Sequence, residues 1–174
     1  GYIRQAINER DPEAFGKLND KLIKYEEITD RIEYEIATYL NDVSKNEISD
    51  EVKDKIKAMY KIVGELESLG DSGEAIGRIL KRKNAHGKVF DKSILDRLNK
   101  MMDLVQKGYD VMIENLKNTD LKDISNAENC EYNINECRNH LREEHIVNIE
   151  SNSYNYLTGV YFMDVLSELE KIGD

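Results

Sequence analysis

The chain has 174 residues, enough for one domain or for two small units sharing a core, with 40% hydrophobic and 34% charged residues. Its formal net charge of −10 argues against a nucleic-acid partner, which needs a basic face, and against docking on anionic lipid. One proline, ten glycines, no tryptophan and little Thr/Val alternation point to long helices rather than strands.

Gly1–Arg10 is amphipathic but short and reads as the tail of a helix. Asp11-Pro12-Glu13 starts the next one, with Asp as cap, Pro in the first turn and an acid near the positive end of the dipole. Apolar residues recur at Phe15, Leu18, Leu22, Tyr25, Ile28, Ile32, Ile36, Leu40 and Val43, in steps of three or four. After a turn at 44–49, Ser49 or Asp50 caps a helix expected to bury Val52, Ile56, Met59, Ile62 or Val63, Leu66, Leu69, Ile76 and Ile79 or Leu80. Gly64, Gly70, Gly73 and Gly77 each cost about 1 kcal/mol in a helix interior, and close helix packing is the expected reason at Gly64 and Gly77. Lys81–Gly87 is a basic exit suited to a helix C-terminus. Three further helices are expected over 91–117, 120–149 and from Ser153 to the end.

A long-period repeat runs through this pattern. Lys61–Asp71 lies over Asp164–Asp174, and Glu67-Ser-Leu-Gly-Asp71 returns as Glu170-Lys-Ile-Gly-Asp174. The chain therefore reads as an all-α bundle of two three-helix repeats, 1–90 and 91–174, the first clipped at its N-terminus and the second at its C-terminus. The absence of an initiator Met and the stop inside a motif give the expectation of a piece of something longer.

Each copy carries a Glu and an Asp four residues apart on one helix face. Single pairs mean little, since 35 acids in 174 residues produce roughly seven such pairs by chance. These pairs recur in register, however, and beside apolar residues. Glu26 and Asp30 form a similar pair on the preceding helix, and its counterpart is Glu131 with Asn135. Two antiparallel helices presenting such groups can build an all-oxygen site for Mg²⁺, Mn²⁺ or Fe, weaker in the second unit because Asn135 replaces an acid. Di-iron carboxylate bundles also use Glu on four helices, but they need Glu-x-x-His. The residues three before His86, His140 and His145 are Lys83, Cys137 and Arg142, so no such motif exists and no catalytic residue is assigned. His140 and His145 are expected on the surface or the edge of the core, and Tyr154, Tyr156, Tyr161 and Phe162 within it. Cys130 and Cys137, about 10 Å apart along a helix, are beyond disulfide reach.

Glu-x-Ile/Leu-Gly-Asp in the third helix of each repeat, with acids on the helix before, resembles the PhoU family of bacterial phosphate-uptake regulators. Glu67–Ser72, Lys81–Asn84, Leu141–Glu150 and Tyr154–Asp164 bring it closer to the C-terminal cytoplasmic PhoU-like domain of bacterial sodium/phosphate cotransporters. The resemblance spans nearly all of 11–174. It implies bound divalent or trivalent metal (Fe, Mn, Mg, Ni or Zn) and regulation of phosphate transport rather than catalysis. Its metal residues here are Glu26, Asp30, Glu67 and Asp71, then Glu131, Glu170 and Asp174. It further implies a position at the cytoplasmic face of the bacterial inner membrane. There the partner is the transmembrane part of the same transporter, with no nucleic acid and no membrane insertion by this segment, and with monomer and homodimer both open. A free-standing PhoU-like regulator is the alternative form.

Overall fold

The computed structural model describes residues 1–118, 124–150 and 155–173, and among them it is all-helical, with six helices and no strand. They are α1 (Tyr2–Asn8), α2 (Pro12–Ser44), α3 (Asp50–Ala85), α4 (Lys92–Lys117), α5 (Ser125–Glu150) and α6 (Tyr156–Gly173). Three starts are set by local chemistry. Asp11 accepts from the Ala14 amide at 2.8 Å, Ser49 from Val52 at 3.4 Å and Asp91 from Ile94 at 2.8 Å, each satisfying a donor the helix itself cannot. α3 ends in a Schellman turn, with the Lys88 amide on the Lys83 carbonyl at 3.0 Å and Gly87 on Asn84 at 2.9 Å. That turn holds Gly87 at φ +62°, where a side chain is strained. Residues 119–123 and 151–154, including the expected starts of the fifth and sixth helices, lie outside the described residues.

One core cluster draws on every helix. Ala6 and Ile7 of α1, Leu18 and Leu22 of α2, Ile76 and Leu80 of α3, Leu98 and Met101 of α4 and Ile134 of α5 all join it. α6 lies at its centre, burying Phe162, Val165, Leu166 and Leu169 while packing on α3, α4 and α5. Its apolar stripe is wide enough for three neighbours because buried residues come in adjacent pairs, Thr158 with Gly159, Tyr161 with Phe162 and Val165 with Leu166. His86 at the end of α3 hydrogen-bonds the Tyr161 hydroxyl, tying α3 to α6 again. No helix among the described residues is long and apolar enough to cross a membrane.

The expected core of the α2–α3 hairpin is only partly realised. Phe15, Leu18, Leu22, Leu40, Ile56, Val63 (in place of its neighbour Ile62), Ile76, Ile79 and Leu80 are buried, whereas Tyr25, Ile28, Ile32, Val52, Met59 and Leu66 are exposed, Met59 by 49%. Length is the reason. At 33 and 36 residues these helices are each about 50 Å long, well beyond the 26, 26 and 18 residues of α4, α5 and α6. α2 packs on α1 and α3 among the described residues, and α1 covers only seven residues' worth of it. The outer part of the hairpin is thus a two-helix ribbon with a bare apolar side.

Other placements meet expectation in part. A Cβ on Gly64 would meet nothing within 4 Å, so close packing does not explain this glycine, while one on Gly77 would come 2.5 Å from Asn19 Oδ1 and 3.4 Å from Leu22. His145 is buried against Phe162, ring centroids 5.8 Å apart, and His140 is exposed. Tyr161 and Phe162 are in the core, but Tyr156 is 69% exposed, and Tyr154 lies outside the described residues. Lys83, in the basic exit, is buried with its ammonium 4.7 Å from the centre of the Phe90 ring; burial first, then Arg10, lowers its pKa. Both cysteines are free and buried.

Candidate metal centre

At Gly70, α3 lies close against α2. A Cβ there would run into Thr29 Oγ1 and lie 3.2 Å from both the Glu26 α-carbon and Thr29 Cβ. The Thr29 hydroxyl donates to the Glu26 carbonyl at 2.8 Å, which fixes the oxygen that a side chain at position 70 would meet. With only a hydrogen at position 70, the helices close, and the next residue, Asp71, is carried to the side of α2 that bears Glu26 and Asp30. One carboxylate oxygen from each of the three falls within 4.8 Å of the others. Glu26 is half-buried, and Asp30 and Asp71 are exposed.

The acids around this triad form a larger patch. Glu67 stands one turn before Asp71 on the same face of α3, so that the two carboxylates face each other. Burial, then Asp71, Glu33 and Asp30, raise the pKa of Glu67 above its ordinary 4.5. Glu26 is raised in the same way by burial, then by Asp30, Glu74 and Asp71. At the edge, Arg78 pairs with Glu74 at 3.3 Å. Both shifts report one condition: negative groups held together in partial burial with too little positive charge among them.

The donor set fits a hard cation. All donors are carboxylate oxygens, which suits Mg²⁺, Mn²⁺, Ca²⁺ or Fe³⁺, and no histidine or cysteine joins the cluster to favour a softer ion. Beside the cluster is a cavity of about 350 Å³ between α1, α2, α3, α4 and α6, with Thr29 and Gly70 in its wall and Leu22, Leu69, Met102 and Val105 among its lining. Burial pushes the Tyr109 phenol on its rim up to about 12.

The second half repeats the approach but not the cluster. A Cβ on Gly173 would lie 2.8 Å from Ile134 Cδ1 and 3.0 Å from its Cγ2. Gly173 stands 103 residues after Gly70, and Ile134 stands 105 after Thr29, so the same glycine meets the same place on the preceding helix. Glu170, the counterpart of Glu67, is ion-paired with Arg138. Both side chains are largely covered, at 15% and 19% exposure. Glu131 is exposed, Asn135 is partly buried, and Asp174 lies outside the described residues. Among the described residues, converging ligand atoms from three acids occur at Glu26, Asp30 and Asp71 alone.

The sequence reading named four residues of the first cluster and missed Glu33 and Glu74. Both follow helical spacing from named acids, Glu33 seven after Glu26 and Glu74 three after Asp71. Arg138 was missed because only acids were compared between the halves; carrying the alignment one turn beyond Asn135 reaches it. Comparison with family models, with curated proteins and with solved structures finds no match to this chain.

Proposed function

We propose that this chain is a cation-binding regulatory module of the PhoU-like kind, serving as the cytoplasmic part of a sodium-dependent phosphate transporter. The observation that carries the cation is the convergence of Glu26, Asp30 and Asp71 from two helices, with Glu67 beside them, at a point where Gly70 permits the approach. The transporter setting rests on the motif resemblance. It draws support from the matched positions of Gly70 and Gly173 against Thr29 and Ile134, which favour two related halves.

A cation between α2 and α3 removes the repulsion among their carboxylates and holds the helices at their close approach. Because it binds the folded hairpin and not the unfolded chain, it stabilises by RT ln(1 + [L]/Kd), about 2.7 kcal/mol at a hundredfold excess over Kd. The same hairpin exposes apolar residues such as Ile28, Ile32 and Leu66, so tightening it alters the surface it offers. In the proposed setting that surface meets the transmembrane part of the transporter.

Elemental analysis of chelator-treated protein, with Mn²⁺, Fe³⁺ and Mg²⁺ titrated back, tests the reading. Wild type is expected to retain stoichiometric metal and Asp71→Asn to lose it. Equal retention by both, or metal in neither, would remove cation binding at this cluster from the account.

A further inference from the structure

The two hairpins of this protein place opposite charges at one equivalent position. In the first, Glu33 on α2 stands near Glu67 on α3, and the two repel. In the second, Arg138 on α5 holds Glu170 on α6. Residue 138 is 105 after 33, the offset that also takes Glu26 to Glu131 and Thr29 to Ile134; residue 170 is 103 after 67, the offset that takes Gly70 to Gly173. The pairs 33–67 and 138–170 are therefore the same pair in two copies, beside the same glycine contact.

We propose that Arg138 is a cation supplied by the chain itself, standing between α5 and α6 where an external cation stands between α2 and α3, so that the protein takes up cations in one of its two hairpins. This rests on the cation-binding reading of the first cluster and limits it to that cluster. The chemistry is direct. An arginine fork presents several fixed donors to a carboxylate and stays charged at every physiological pH. With both side chains mostly covered, the Arg138–Glu170 pair excludes the water that an incoming hydrated ion must exchange. Asn135, in place of an acid, removes a further donor from the second hairpin. Arg138 thus acts as a specificity-determining residue, closing a position that the fold makes twice.

Two reciprocal exchanges test this. Glu33→Arg gives the first hairpin the second's arrangement. In chelator its thermal midpoint is expected to rise by about 2–4 °C, the shift that roughly 1 kcal/mol produces at this size. Its Mn²⁺ uptake, followed by loss of the free-ion electron paramagnetic resonance signal, is expected to fall from stoichiometric to none. The double variant Asn135→Asp with Arg138→Glu gives the second hairpin the first's acids. It is expected to take up additional Mn²⁺ that a further Asp71→Asn does not abolish.

Mn²⁺ uptake by the single variant Asp71→Asn that disappears on Glu170→Gln would overturn the inference, because the second hairpin would then bind with Arg138 in place. A fall in midpoint for Glu33→Arg in chelator would overturn it too. No uptake by wild type, together with a raised midpoint for Glu33→Arg, would instead remove the cation-binding reading while leaving the charge exchange at 33 and 138 in force. For these assays circular dichroism checks that each variant is folded.

Discussion

Replacing Gly70 by alanine sets two effects of known size against each other. In a helix interior alanine is favoured over glycine by about 1 kcal/mol. Here, however, the new methyl would overlap Thr29 Oγ1 and lie 3.2 Å from the Glu26 α-carbon, so a backbone as well as a side chain must move. Overpacking of this kind costs about 1–3 kcal/mol. The neighbouring cavity of about 350 Å³ has Gly70 and Thr29 in its wall and gives the Thr29 side chain room for adjustment, but the Glu26 α-carbon is backbone and yields less easily. The expected result is a net loss of up to about 2 kcal/mol, or a fall of up to about 8 °C in Tm. Gly64→Ala is the internal control. Nothing lies within 4 Å of its added methyl, so it should gain about 1 kcal/mol from propensity alone. Urea unfolding of both variants reads the difference, expected at about 1–3 kcal/mol, the overpacking cost itself. Gly70→Ala should also weaken Mn²⁺ binding, since it pushes Asp71 away from Glu26 and Asp30. If Gly70→Ala stabilised the protein as much as Gly64→Ala, the close approach of α2 and α3 at this point would be refuted, and with it the reason the three acids converge.

Glu67→Gln should stabilise the cation-free protein at pH 7 by about 0.5 kcal/mol, the scale of a like-charge contact on a helix. Its folded pKa is raised, so the native state holds more protons than the unfolded one just above pH 4.5. Stability from this group is complete below that value and is lost as pH rises through the folded pKa. Urea midpoints measured from pH 4 to 7 should therefore fall less steeply with pH in Glu67→Gln than in wild type, and identical profiles would contradict the shared-charge account. Phe162→Ala, at a fully buried position in the middle of α6, should cost about 3–5 kcal/mol by the same assay. A loss under 1 kcal/mol would mean that α6 is not central to the core.

Local chemistry was the most legible part of the chain. Asp11, Ser49 and Asp91 each cap a helix whose start their own side chains determine, and no distant residue takes part. A helical period, by contrast, shows which face is apolar and says nothing about whether a neighbour covers it. Ile28, Ile32 and Met59 keep perfect spacing and still face solvent, because helix lengths elsewhere in the bundle decide where cover ends. Gly64 and Gly70 are equal by propensity and differ only in what stands opposite them. Glu26, Asp30 and Asp71 could be grouped from their repeat, since helix spacing and antiparallel packing suffice to bring them together. Arg138 needed attention to charge sign as well as to acids. Lys83 read as one cation of a basic helix C-terminus, and its burial over Phe90 depends on the chain turning back at Gly87.

The central place of α6 bears on how the protein comes into being. Made after the other five helices, it is the element that α3, α4 and α5 all pack against. Until it has left the ribosome, Ile76, Leu98 and Ile134 have no common partner, and the growing chain carries its largest apolar surfaces open to water. Hairpins can form early because their contacts are local, but the shared interior must wait for α6. Such a chain passes its synthesis in a state that invites chaperones and aggregation, and then closes in one late, cooperative step.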